Sequence, residues 1–479
     1  MMVFGQKEDY IWYFGPTGVG LDFRGCEPQV LTDGYADGNA WEGCATIADS
    51  SDGSLLFYTS GYKAYNSLRQ PMPNGDPIGL SNSLSQMVII PWPGSPMKYF
   101  LVIPEVQAGV SWMPQHPAAF SLYYAVIDMA LDGGLGDVAS KFNVMLITPH
   151  CEFLTAVRHG NGSDYWLIGH EFNSSTFFTY TITPSGISSV PTFQSVGPTV
   201  ATPQSGPPNS SNLDAVGAMR SSPDGTHLAY TTSYNGITCV FDFDPWTGSI
   251  TAPKELSISG GGYGISFSPN GSKLFVATKT IVLGNTFQDG ALVQFDLSSG
   301  SQDVIQASLT TIHQCIGNGG FATLKLGPNG RLYASRISSD GTSQGDPFIG
   351  VVNEPDLPGS MCDYVHDGVW LNGSYGSWGL SNSLEFGHDC GGLEHSITEN
   401  ECDDLELVST LSLHTISWRC MNAFNKIEIR SSDGRILLDR IIENGSTQFS
   451  WSLPRGIPGI YVVCLTGPDG KAVRKLLLP

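Results

Sequence analysis

The sequence predicts an all-β protein: a β-propeller, most simply of seven blades, followed by a small Ig-like antiparallel β-sandwich. Three observations carry this. Gly (57) and Pro (30) are abundant while charged residues make up only 14% of 479, a composition foreign to coiled coils and helical bundles. A unit of short apolar strands separated by turn residues recurs through the first 400 residues. Near Glu401 that pattern stops, and a module of different charge balance begins.

The clearest unit runs Ala218-Met219-Arg220-Ser221-Ser222-Pro223-Asp224-Gly225, then His227–Thr232, then Val240–Asp244, then Thr247-Gly248-Ser249. Asp-Gly and Asn-Gly tolerate positive φ and suit tight hairpins. The plan returns at Ile265–Gly271 with Leu274–Ala277 and Val293–Leu297, and at Leu324–Gly330 with Arg331–Ala334. More divergent copies hold Leu154–Val157, Tyr165–Ile168 and Phe177–Ile182; Met87–Ile90, Tyr99–Ile103 and Leu122–Val126; and Leu55–Tyr58 after Trp41. Copies therefore start near 41, 84, 152, 215, 263 and 321, the spacing of propeller blades. Tyr10–Phe14 and Gln29–Thr32 form a partial seventh unit, which residues 360–400 would complete by joining both chain ends. Six or eight blades are the alternatives; tandem sandwiches would repeat nearer every 100 residues.

Composition also excludes. With 41% hydrophobic and 11% aromatic residues the chain is not disordered. Lys plus Arg (23) against Asp plus Glu (44) gives −21, which argues against nucleic acid or an anionic membrane as partner. No run of about 18 apolar residues exists to span a membrane. The ten cysteines form no C-x-x-C pair, so zinc and thioredoxin-like signatures are absent. They read as buried small hydrophobes, some of which an exported protein could pair as disulfides. Met1–Lys7 lacks the regions of a signal peptide but looks like the tail of one, with Gln6 as first mature residue and the true start upstream.

The expected domains are 1–402, the propeller, and 403–479, the sandwich. Residues 403–479 hold eight acids and nine bases, or +1, leaving −22 for the rest. Expected strands are Thr410–Leu413, Ile416–Trp418, Lys426–Arg430, Ile436–Leu438, Gln448–Trp451, Ile460–Val463 and Val473–Leu477, with turns at Ser432-Asp433-Gly434, Glu443-Asn444-Gly445 and Pro468-Asp469-Gly470. Ser432-Asp433-Gly434-Arg435, Leu453-Pro454, Pro458-Gly459-Ile460-Tyr461-Val462-Val463, Lys471 and the terminal Lys475-Leu476-Leu477-Leu478 resemble, in that order, the type A sorting domain of bacterial type IX secretion cargo. Arg455-Gly456-Ile457 is an insertion relative to that pattern. The resemblance implies Gly434, Pro458, Gly459, Tyr461, Val462 and Lys475 as sorting-signal residues and the type IX secretion machinery as a partner. It also implies a secreted or outer-membrane surface location. Without it, Gly459 reads as a bend and Tyr461 as an interior strand aromatic.

The propeller half carries its own resemblance. Gly43–Asp49, Leu55–Gly61, Met72–Gly75, Gly133–Val138, Leu154–His159 and Asp164-Tyr165-Trp166 look like a propeller family of Bacteroidetes surface proteins that precede sorting or gliding-associated modules. That family's activity is unassigned, and the implied role is a non-enzymatic binding platform for a glycan or surface protein. The blade at Ser222–Gly225 and Phe241–Asp244 also resembles propeller lactonases, which makes a secreted lactonase-like hydrolase the alternative. For that chemistry Arg158, His170, Glu171, Arg220 and Arg336 are the candidates to converge on the channel. His170-Glu171 with Arg158-His159 reads more simply as packing between blades.

No metal or cofactor is expected. His366-Asp367, His388-Asp389 and His395 match no established ligand spacing, no Asp-x-Asp-x-Asp-Gly loop appears, and no Gly-x-Ser-x-Gly elbow is present. Gly260-Gly261-Gly262 precedes a strand rather than a helix, against a phosphate cradle. Of the propeller tryptophans (Trp12, Trp41, Trp92, Trp112, Trp166, Trp246, Trp370 and Trp378), most read as core. Trp370 and Trp378, among small polar residues, are the better candidates for exposure.

Overall fold

Strand-forming runs bounded by turn residues fold here into antiparallel sheets, in most of which each strand is hydrogen-bonded to the next. In this computed structural model the described residues are 7–384, apart from 37–39, 41, 80–85, 105–120, 148, 202–212, 234, 283–285, 316–318 and 338–344, with the backbone of five strands beyond 403. Two compact units emerge, Met1–Cys390 and Gly391–Pro479. The expected 402/403 boundary lies outside the described residues.

The first unit is a seven-bladed propeller. Blade 1 pairs Ile11–Phe14, Val19–Asp22 and Gln29–Leu31; blade 2 pairs Ala45–Ala48, Leu55–Thr59 and Ala64–Asn66. Blades 3 to 7 begin on Val88–Pro91, His150–Arg158, Gly217–Ser221, Gly261–Phe267 and Gly320–Leu326, and each adds three or more strands. Blades 2 to 7 thus start within four residues of the expected positions. The Pro-Asp-Gly and Pro-Asn-Gly turns that betrayed the repeat place Gly225, Gly271 and Gly330 at φ 70°, 72° and 76°, a conformation that disfavours any side chain.

Burial falls from hub to rim. Gly217–Ser221 and Gly320–Leu326 are buried at every residue, while the outer Ser249–Leu256 and Tyr364–Trp370 are mostly half-buried or exposed. An inner strand packed on both faces needs a continuous apolar run; a rim strand does not. One apolar cluster fills each junction, from Tyr13 and Tyr58 between blades 1 and 2 round to Trp12 and Tyr333 between blades 7 and 1. Seven junctions close the ring.

The closing segment differs in form from the expectation. Blade 1 takes all its paired strands from residues 11–31, and no strand of its sheet comes from the late residues among those described. Residues 376–384 do return to blade 1, as an extended and almost wholly buried strap without ladder pairing. Leu380 packs in the Trp12–Phe14–Cys44 cluster. Sequence periodicity reports ladder strands, and this strap has none.

The second unit is antiparallel throughout. Asp404–Ser409, Leu413–Ser431, Gly459–Gly467 and Gly470–Leu478 pair in that order, and Ile436–Pro454 pairs with Leu413–Ser431. Five long strands replace the seven short ones expected. Glu443-Asn444-Gly445 lies within a strand, at a register shift between Phe424↔Ser446 and Lys426↔Ile441. Asn-Gly serves a bulge as readily as a turn. The pairings describe one sheet, and the two-sheet sandwich stays an expectation. No helix among the described residues is long and apolar enough to cross a membrane.

Candidate functional site

At the hub, where an enzyme of this fold would place its site, polar side chains meet one another. Tyr263, on the inner strand of blade 6, donates its hydroxyl proton to Glu42, which leads into blade 2. Arg220, 3% exposed on the inner strand of blade 5, donates to Gln86 Oε1 at 2.9 Å, at the entry to blade 3. Lys325 of blade 7 pairs with Asp9 at 3.0 Å, lies 4.9 Å from the Trp12 ring centroid, and donates to Ser383. Asp9 Oδ1 accepts from Ser383 Oγ at 2.6 Å and Trp12 Nε1 at 2.9 Å. Burial pushes the Asp9 carboxyl up, while the Lys325 ammonium and these donors pull it down.

The strap threads this network. Trp378 accepts at its carbonyl from Thr323 N (3.1 Å) and Ser335 Oγ (2.9 Å) of blade 7, and its ring meets Tyr263 at 5.3 Å. Asn382 donates from its backbone to Cys44 O (2.8 Å) and from its amide to Met87 O (2.7 Å). Leu384 joins the apolar cluster of blades 3 and 4. A Cβ on Gly379 would sit 1.7 Å from Glu42 O, so only glycine passes there.

The five predicted channel residues do not assemble into one site. Arg158 ends its strand opposite Tyr165, whereas Glu171 lies opposite His150. The six-residue step from Tyr165 to Glu171 separates Arg158 from Glu171 by roughly 20 Å. His170, 0% exposed, packs on Phe177 (4.7 Å) and Tyr230 (5.5 Å), its Nδ1 2.7 Å from Glu171 O. Burial lowers its pKa to about 4, so the neutral ring is a packing element. Arg336 on blade 7 is held by Asp346 and Asp367, both at 2.7 Å. His366 stacks on His313 at 4.4 Å and bonds Tyr364 through Nδ1. His388, Asp389 and His395 lie outside the described residues, as do Trp41, Trp112, Gly434 and Pro458. Gly459, Tyr461 and Val462 share one strand, and Val462 pairs with Lys475 on the next.

Sequence singled out neither Asp9, Lys325 and Glu42 of the hub nor a further titratable group, Glu8. Glu8 is 5% exposed, its Oε2 has no hydrogen-bond partner among the described residues, and burial raises its pKa to about 7 against the opposing charge of Arg158.

Concave space lies at the seam of blades 7 and 1. A groove of about 520 Å³ runs between Gln29–Leu31 and Tyr364–Trp370, within the range of small-ligand sites. Trp370, 56% exposed as the sequence led one to expect, lines it; Trp378 instead is half-buried at the hub. Arg331 and Glu27 bridge the seam through two hydrogen bonds of 2.8 and 3.0 Å.

No protein-family model matches the chain, and no curated protein is similar to it. Solved propellers resemble it distantly. The Cps50 (Swd1) β-propeller domain of Myceliophteria thermophila is 12% identical with a TM-score of 0.40, over 70% of this chain and 95% of that one. The periplasmic gluconolactonase PpgL of Pseudomonas aeruginosa is 12% identical with a TM-score of 0.39, over 92% and 96%. PorZ, a surface component of the type IX secretion system of Porphyromonas gingivalis, is 11% identical with a TM-score of 0.30, over 98% and 74%. At these values the likenesses assign no function to this chain.

Proposed function

We propose that this chain is an exported, non-enzymatic binding protein, secreted or held at the outer-membrane surface, and delivered through its C-terminal unit by the type IX secretion machinery. One observation carries the non-enzymatic reading. The hub is crossed by Tyr263–Glu42, Arg220–Gln86 and Lys325–Asp9–Ser383 and threaded by the strap. Lys325 and Asp9, which satisfy each other at 2% and 7% exposure, and Arg220, held at 3% exposure by Gln86, are not available to a substrate. Recognition of a glycan or surface protein then falls to the outside of the ring. Export rests on the sorting pattern of residues 432–478. Deleting 403–479 strands the protein in the periplasm with its propeller folded; unaltered export rejects the assignment.

A secreted lactonase-like hydrolase is the second reading, favoured by Glu8, which titrates near neutrality beside Arg158 and suits general acid–base work. A panel of lactones decides: turnover abolished by Glu8→Gln replaces the platform with an enzyme.

A further inference from the structure

We propose that the groove at the blade 7–blade 1 seam binds a neutral oligosaccharide, with Trp370 as the stacking platform. This rests on the binding-platform reading and names its ligand class.

The groove exists because blade 1 is short. Among the described residues its sheet stops at the third strand, Gln29–Leu31, whereas blade 7 carries a fourth, Tyr364–Trp370. The rim of one blade thus overhangs its neighbour, and the space between is the 520 Å³ groove. Its stacking wall is a strand: Trp370 is cross-strand partner to Phe348, so the ring is carried on a rigid support, while Glu27, Arg331, Asn353 and Asn372 reach the groove from the turns that flank the strands. Leaving an indole 56% exposed on a rim strand does nothing for the core. Such a ring offers a flat apolar face to a ligand.

Valines line part of the groove, and its polar side chains are planar: Glu27, Gln29, Arg331, Asn353 and Asn372. Asn353 is held in orientation, its amide nitrogen donating to Asp363 Oδ2 at 2.9 Å. The Glu27 carboxylate and Arg331 guanidinium neutralise each other edge to edge, so the pair presents hydrogen-bonding edges but no net charge. An anionic ligand would meet the −21 chain without an unpaired cation at the groove, and a cation would find the one lining carboxylate already taken. A ligand with an apolar C–H face and a rim of uncharged hydroxyls matches both the indole and the amides. That is the chemistry of a neutral sugar.

The test is a fluorescence titration of the full chain with cello-, xylo-, manno- and chitohexaose at millimolar concentrations. Wild type and Trp246→Ala, which removes another exposed tryptophan on blade 5, are expected to bind one of these saturably. Trp370→Ala is expected to weaken that binding roughly tenfold or more, as loss of a central aromatic anchor does, and Gln29→Ala to weaken it less. Binding unaffected by Trp370→Ala, or no saturable binding, would each overturn the proposal. Product release is followed in the same samples. Hydrolysis would defeat the platform reading separately, while Trp370 dependence would still decide the groove.

Discussion

The hub and the seam of this propeller use the same residue types to opposite ends. At the hub, Lys325 and Asp9 are buried and partnered, and Arg220 reaches Gln86 from one blade's inner strand to another's entry. At the seam, Arg331 and Glu27 form a comparable pair with 25% and 55% of their side chains exposed, beside an uncovered Trp370. The difference teaches where the fold spends stability and where it leaves chemistry available. A buried charge must be satisfied by its own chain, or the blade around it fails; an exposed one can exchange partners.

The comparison can be broken by substitution. The largest effect is expected at the hub: Lys325→Ala leaves the Asp9 carboxylate buried and uncompensated and costs about 3–5 kcal/mol in denaturant unfolding. The double variant Lys325→Met with Asp9→Leu costs far less. Equal losses in single and double variants would show that the pair itself is not what holds the strap.

Next come two titrations of opposite sign. Glu8 has a folded pKa of about 7 against an ordinary 4.5, so its contribution is present below pH 4.5 and lost as pH rises through 7. Glu8→Gln should therefore stabilise the propeller by about 3 kcal/mol at pH 8 and by nothing at pH 4. His170 has a folded pKa of about 4 against 6.5. Its neutral ring favours the fold above pH 6.5, and that contribution, of about 3 kcal/mol, is lost as pH falls towards 4. His170→Phe should flatten the acid limb of the stability profile, and an unchanged limb would place the titration elsewhere. The smallest effect is at the seam, where Arg331→Ala should change stability by less than about 1 kcal/mol.

The blades were legible because their turns demand particular residues. Pro-Asp-Gly and Pro-Asn-Gly at 223–225, 269–271 and 328–330 mark the hairpins between the first two strands of blades 5, 6 and 7. The strap was not, since it repeats no ladder and its structural mark is Gly379, required by the close approach of Glu42 O. One faint signal was there: Gly379-Leu380-Ser381-Asn382-Ser383-Leu384 repeats Gly79-Leu80-Ser81-Asn82-Ser83-Leu84, and Gly79 likewise sits where a Cβ would lie 2.0 Å from a backbone oxygen, that of Gly61. Arg158 and His170 looked like one cluster because they are twelve residues apart on adjacent strands; the hairpin register sends them to opposite ends. Trp370 was found because the small polar run Asn372-Gly373-Ser374 follows it closely, whereas Trp378, at the other end of that run, finds Tyr263 through tertiary contact.

Hydrogen exchange of the native full chain tests the sealed hub most directly. The amide of Asn382, bonded to Cys44 O, should exchange as slowly as those of the inner strand Gly320–Leu326, by opening only with the propeller as a whole. Exchange of residues 377–384 at the rate of an open loop would contradict the account, for the strap would then be a removable lid over an accessible hub.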